Sequence, residues 1–191
     1  MKENVFMSLL KSELRKLIAN CDNKLFQELE KVLIDIKEAK EYYEPLFSLC
    51  SRRLAPMEKS VLEMSIFLWL FESFYVYRLD FVCLLLIGNG HDLYSRRQYV
   101  SSFQQVQKVD TYQKFEFLRQ HKLEMLVREN DRELRNSIAH NRFKIDEKGS
   151  VSIQGKKVDM VSRIDDLMDF GNLVSKTFVE CLGDIRIKQD D

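Results

Sequence analysis

Arg135, Asn136 and His140 fall close together in RNSIAHNRF, residues 135–143, of a chain with three histidines. Cleaving RNA takes a base for the ribose 2′-hydroxyl, an acid for the departing 5′-oxygen and a cation for the crowded phosphate. Histidine suits proton transfer near neutral pH. Arginine stays charged and can grip two phosphate oxygens at once. One of each is the minimum set, and it needs no metal. On an ideal helix Asn136 and His140 share a face, whereas Arg135 points roughly 140° away from His140. Three arrangements could bring them together. The arginine wraps round, the helix ends near Ala139, or two copies meet across a two-fold axis and pool their side chains. The last supplies two histidines, one for each proton transfer. The plain alternative is a histidine that only complements the dipole of a helix end.

The neighbourhood is locally basic. Residues 128–144 hold Arg128, Arg132, Arg135, Arg142 and Lys144 against Glu129, Asp131 and Glu133, which makes Arg132 and Arg142 candidate phosphate contacts. YSRRQY at 94–99 interleaves Arg96 and Arg97 with two tyrosines, residue types that hold phosphate and stack on bases; a charged loop at a helix end would look the same. Glu72 lies in the mostly apolar FLWLFESFYVYRL. A carboxylate there could orient Arg135 or His140 from behind, or simply pair with Arg78 or face solvent. His91 and Asp92 follow GNG, but loop neighbours seldom converge and no further ligand cluster is evident, so no metal or other cofactor is expected. His121, among the charges of RQHKLEM, reads as solvated.

Thirty basic and thirty acidic residues cancel, so no global field draws the chain to nucleic acid or a membrane, and any such contact needs a local patch. Hydrophobic residues make up 45% and aromatics 11%, which excludes disorder; two prolines and six glycines leave little room for an all-β fold. At 191 residues a single domain of generous size is expected. The cysteines, at 21, 50, 83 and 181, are too widely spaced for a Cys-x-x-Cys metal or redox motif. Set among apolar neighbours, they read as buried thiols of a cytoplasmic protein. MKENVFMSLLKSELRK lacks the apolar core of a signal peptide. The apolar region 61–87 is broken by Glu63, Glu72, Arg78 and Asp80, so it reads as a core helix and not a membrane span.

Helical spacing of Phe6, Leu9, Leu10, Leu14, Leu17 and Ile18 predicts a first helix over 3–20. Asp22 caps a second, carrying Leu25, Phe26, Leu29, Val32, Leu33 and Ile36 and bending near Pro45. Pro56 opens a third that GNGHD stops after Ile87. Residues 93–110 could hold a loop and a short helix. Helices are expected from Thr111 and from about Asn130, the latter carrying the motif. RFKIDEKGSVSIQG, about 142–155, alternates as a β-hairpin, and SRID at 162–165 is a capping-box variant opening the last helix. The expected fold is mainly α, a helical bundle with an N-terminal helical elaboration over 1–55 and a small hairpin between the last two helices.

LRNSIAHNRFKIDEKGSV resembles the signature of the HEPN superfamily, an arginine with a following polar residue and a histidine four to six positions on. Arg135, Asn136 and His140 occupy those positions. The order of helices is similar as well, over about residues 57–182. The resemblance implies a metal-independent endoribonuclease that cuts single-stranded or loop RNA to a 2′,3′-cyclic phosphate. It also implies a homodimer joined through the motif helix, a role in toxin or antiviral defence, and an antitoxin or other neutralising partner. Some members of the superfamily have lost activity and serve as RNA-binding or protein-interaction modules.

Overall fold

A computed structural model describes residues 3–21, 25, 27, 48, 49, 52–95 and 98–189, with side chains for those between 5 and 183. Apart from Leu25 and Gln27, which are helical, the expected second helix lies outside the described residues, as do its Asp22 cap, the bend at Pro45, Cys50, Arg96 and Arg97. The described chain is mainly helical with two small antiparallel sheets. Its contacts divide it into two compact units. One takes residues 1–32, 76–127 and 171–191; the other takes 33–75 and 128–170.

The first unit contains α1 (Glu3–Ala19), α3 (Tyr77–Gly88), the β1–β2 ribbon (Tyr94–Ser95 and Gln98–Tyr99), α4 (Phe103–Gln107) and α5 (Thr111–Gln120). It also holds the later part of α7 (Met160–Gln189). Phe6, Leu10, Leu14 and Ile18 bury one stripe of α1, whereas Leu9 faces solvent. Helix α3 is buried nearly all round, and the Phe81 ring meets Phe178 of α7 edge-on at 5.1 Å. Such all-round burial needs its charges paired. Asp80 accordingly meets Lys114 of α5 at 2.5 Å, and Arg78 donates from Nε to the Gly171 carbonyl and the Ser175 hydroxyl. Cys83 is fully buried beside that pair, and burial pushes its thiol far above the ordinary range. Cys181 is buried too, and Cys21 is half-buried with its thiol on the Leu17 carbonyl.

The second unit contains α2 (Pro56–Trp69), most of the π-helical segment Leu70–Val76, and α6 (Glu129–Ala139). A three-stranded sheet, β3 (Phe143–Ile145), β4 (Val151–Ile153) and β5 (Lys156–Val158), completes it with the start of α7. Pro56 stands at the first position of α2 as expected, and Glu58 accepts a hydrogen bond from the Ala55 amide. The long helix leaves α geometry between Leu70 and Val76, which nothing in its composition announced. The expected hairpin forms as the antiparallel pair β3–β4, and the sheet extends it. Gln154 and Gly155 form a left-handed two-residue turn, and β5 follows as a third strand instead of an exit from the sheet. In the β3–β4 turn Gly149 has φ +79°, and an added Cβ would come within 2.6 Å of the Pro56 carbonyl oxygen. Ser60 ties the same place down by donating to the Gly149 and Pro56 carbonyls. Helix α7 begins at Met160, ahead of the expected SRID cap. Asp159 takes that role, its carbonyl accepting from Arg163 and its carboxylate from the Ser162 amide. Among the described residues no helix is long and apolar enough to cross a membrane.

Candidate functional site

Helix α6 carries the motif, and buried charge fixes its start. Asp131 in its first turn is almost wholly buried. It pairs with Arg128, and Arg163 of α7 lies 3.6 Å away. The Arg128 guanidinium sits 5.0 Å over the Phe170 ring, and its backbone amide donates to the Tyr75 hydroxyl at 3.0 Å. Burial raises the Tyr75 phenol well above its ordinary range, so it stays protonated as a neutral partner. Leu134, Ser137 and Ile138 turn inward, and α6 packs against α2. The remaining face, with Arg132, Arg135 and Asn136, is only partly covered.

The helix ends after Ala139, as one of the three arrangements required. Asn141 adopts a left-handed φ of +54°, its amide donates to the Ile138 carbonyl, and the Arg142 amide donates to Ser137 at 2.7 Å. This is a Schellman ending with asparagine in the usual glycine position. His140 is the C-cap residue, with φ −101° and ψ 17°, outside the helical range. Its imidazole is exposed, and its amide donates to the Asn136 carbonyl. An asparagine just past the last apolar position was the signal for this turn, and the sequence reading passed over it.

Arg135 is held from two sides. Nε and Nη2 face Glu72 Oε1 as an ion pair, and Nη1 donates to Asn136 Oδ1 at 3.0 Å. A guanidinium has five donors, so these contacts leave two for a further ligand. Glu72 therefore pairs with Arg135 while also facing solvent, so the contact of one sequence reading and the exposure of another are both present. Arg78, its other candidate partner, is buried on α3 and engaged elsewhere. Glu72 sits on the π-helical segment, an arrangement that recurs at functional sites. Both side chains of the pair stay partly exposed, 33% for Arg135 and 43% for Glu72.

The other candidates separate. Arg132 is paired with Glu129 one turn back along α6, which competes with phosphate for it. Arg142 is exposed just past the helix end. His121 is half-buried, not fully solvated. Its ring lies 4.1 Å from that of His91 and 4.8 Å from Phe117, centroid to centroid, and burial followed by the neighbouring imidazole lowers its pKa. The neighbouring charges of RQHK were misleading, whereas Phe117, one turn back, was the better signal. Among the described residues no group of three or more His, Cys, Asp or Glu is placed to hold a metal ion.

Comparison with family models, curated proteins and solved structures gives no match to this chain.

Proposed function

We propose that the chain is a homodimeric, metal-independent endoribonuclease of HEPN type, cutting single-stranded or loop RNA in toxin or antiviral defence. The observation that carries this reading is a positioned cation and an exposed histidine near the end of the same helix. Arg135 is oriented by Glu72 and Asn136, while His140 stands exposed one turn beyond Asn136. In this reading Arg135 offers its two remaining donors to the scissile phosphate and Asn136 keeps it in place. His140 removes the 2′-hydroxyl proton, and the 2′-oxygen attacks phosphorus. The P–O5′ bond breaks as the partner's histidine protonates the leaving oxygen, giving a 2′,3′-cyclic phosphate and a free 5′-hydroxyl. Arg142 and Arg132 contribute phosphate contacts beside the motif, and Arg96 and Arg97 are further candidates for RNA contact. An antitoxin or other neutralising protein holds the activity in check.

The test is assembly together with cleavage. Sedimentation at tens of micromolar should give a dimer, with a two-fold interface over 130–143 burying about 1,600 Å² in total. Purified protein with chelator should cut labelled RNA. A monomer that cuts nothing ends this reading.

One observation favours a second reading, a non-catalytic RNA-binding or protein-interaction module. His140 caps a complete Schellman ending and Arg135 already has a carboxylate, an arrangement that also serves a helix end with no chemistry.

A further inference from the structure

We propose that the groove beside the β1–β2 ribbon is a nucleotide-binding site, taking a planar base together with its phosphate. This proposal stands whether or not the motif helix cuts RNA. The groove has a volume of about 400 Å³ and is lined by Ser95, Gln98, Tyr99, Val100, Gln105 and Lys108. That size lies in the range of pockets that hold small ligands, and the lining supplies each contact such a ligand needs.

Tyr99 is the stacking surface. It is paired across the ribbon with Tyr94, the two rings meeting edge to face at 5.9 Å. The contact braces the Tyr99 ring yet leaves the residue 45% exposed. Braced, exposed aromatic rings are what bases stack on, whatever their sequence. Gln105 supplies polarity of fixed sense. Its Oε1 accepts from the Ser101 amide at 2.7 Å and from the Ser101 hydroxyl at 3.2 Å. The amide nitrogen is thereby left to donate to a carbonyl oxygen on a base edge. Val100 is buried beside them as an apolar floor.

Charge selects the phosphate. Lys108 caps the end of α4, is exposed and forms no ion pair among the described residues. Among the described residues the lining contains no carboxylate, and the sequence from 93 to 109 contains no Asp or Glu at all, in a chain with thirty of them. A cation with no anion beside it attracts any anion, an acidic peptide as well as a phosphate, and it is the exposed ring and the oriented amide that add a base to the requirement.

The test is binding of the full-length chain to a fluorescent hexauridylate bearing 2′-O-methyl groups, which cannot be cut. Unlabelled uridine monophosphate and inorganic phosphate serve as competitors. Tyr99→Leu keeps bulk without the ring face, and Lys108→Glu reverses the charge; each should weaken binding by about 5-fold or more. Wild-type affinity should fall as salt rises. Competition by uridine monophosphate identifies a free nucleotide as the ligand, and binding of the hexamer alone identifies a strand; both support the site. Phosphate competing as well as the nucleotide, either variant binding like wild type, or no binding in the low millimolar range overturns it.

Discussion

Glu72 and Arg135 lie 63 residues apart in the chain and meet as an ion pair at the partly exposed face of the motif helix. The carboxylate comes from a π-helical segment and the guanidinium from the middle of α6. Such a pair contributes only about 0.2–1 kcal/mol to stability. Its larger effect is geometric, because it fixes the plane of the one cation in the motif.

Glu72→Ala should therefore separate stability from activity. The melting temperature should move little, while RNA cleavage falls on the order of 10-fold or more as Arg135 loses its orientation. Glu72→Gln keeps an acceptor at the same place and should recover part of the loss. Thermal melts beside initial cleavage rates check this, and equal loss of both would assign Glu72 to folding alone.

Asp131 should behave in the opposite way. Its buried carboxylate joins Arg128 and Arg163 at the start of α6. Asp131→Ala leaves those guanidinium groups without their buried partner and should cost on the order of 2 kcal/mol. Urea denaturation should show a lower midpoint with an unchanged slope.

Legibility in the sequence followed the range of the interactions. The buried stripe of α1 (Leu9 apart), the Pro56 start of α2 and the stop at Asn89 depend on neighbours within a turn or two, and they stood where the spacing put them. The cap at Asp159 was local too, but Ser162 offered a competing start two residues into the helix. Strand β5 was hidden because Gln154 and Gly155 look alike as the end of a hairpin and as the turn into another strand. The π-helical segment and the choice of Arg135 over Arg78 as partner of Glu72 rest on packing between distant segments. No local pattern encodes them. Of the candidate site, residue types and spacing were legible, and the helix end near Ala139 was one of the three arrangements they left open, which Asn141 could have decided.

His121 predicts a pH dependence. Burial and His91 depress its pKa, so the folded state resists a proton that the unfolded chain accepts below its ordinary value of 6.5. Stability is then complete above about pH 6.5 and declines as pH falls toward the depressed folded value, because the unfolded state binds more protons in that window. Melts of wild type and His121→Phe between pH 5 and 8 should diverge at the acid end, the variant losing less. A wild-type profile that rises on acidification would reverse the assignment.

The most direct measurement compares wild type, His140→Ala and Arg135→Ala on labelled RNA in excess EDTA, with product ends identified. Wild type should cut and leave a 2′,3′-cyclic phosphate, because the nucleophile is the ribose itself. His140→Ala should lose about 10²-fold or more, Arg135→Ala should also be impaired, and both should melt close to wild type, since each side chain stands at a partly open surface. Wild-type cleavage that needs magnesium, or full-rate cleavage by His140→Ala, would contradict the account.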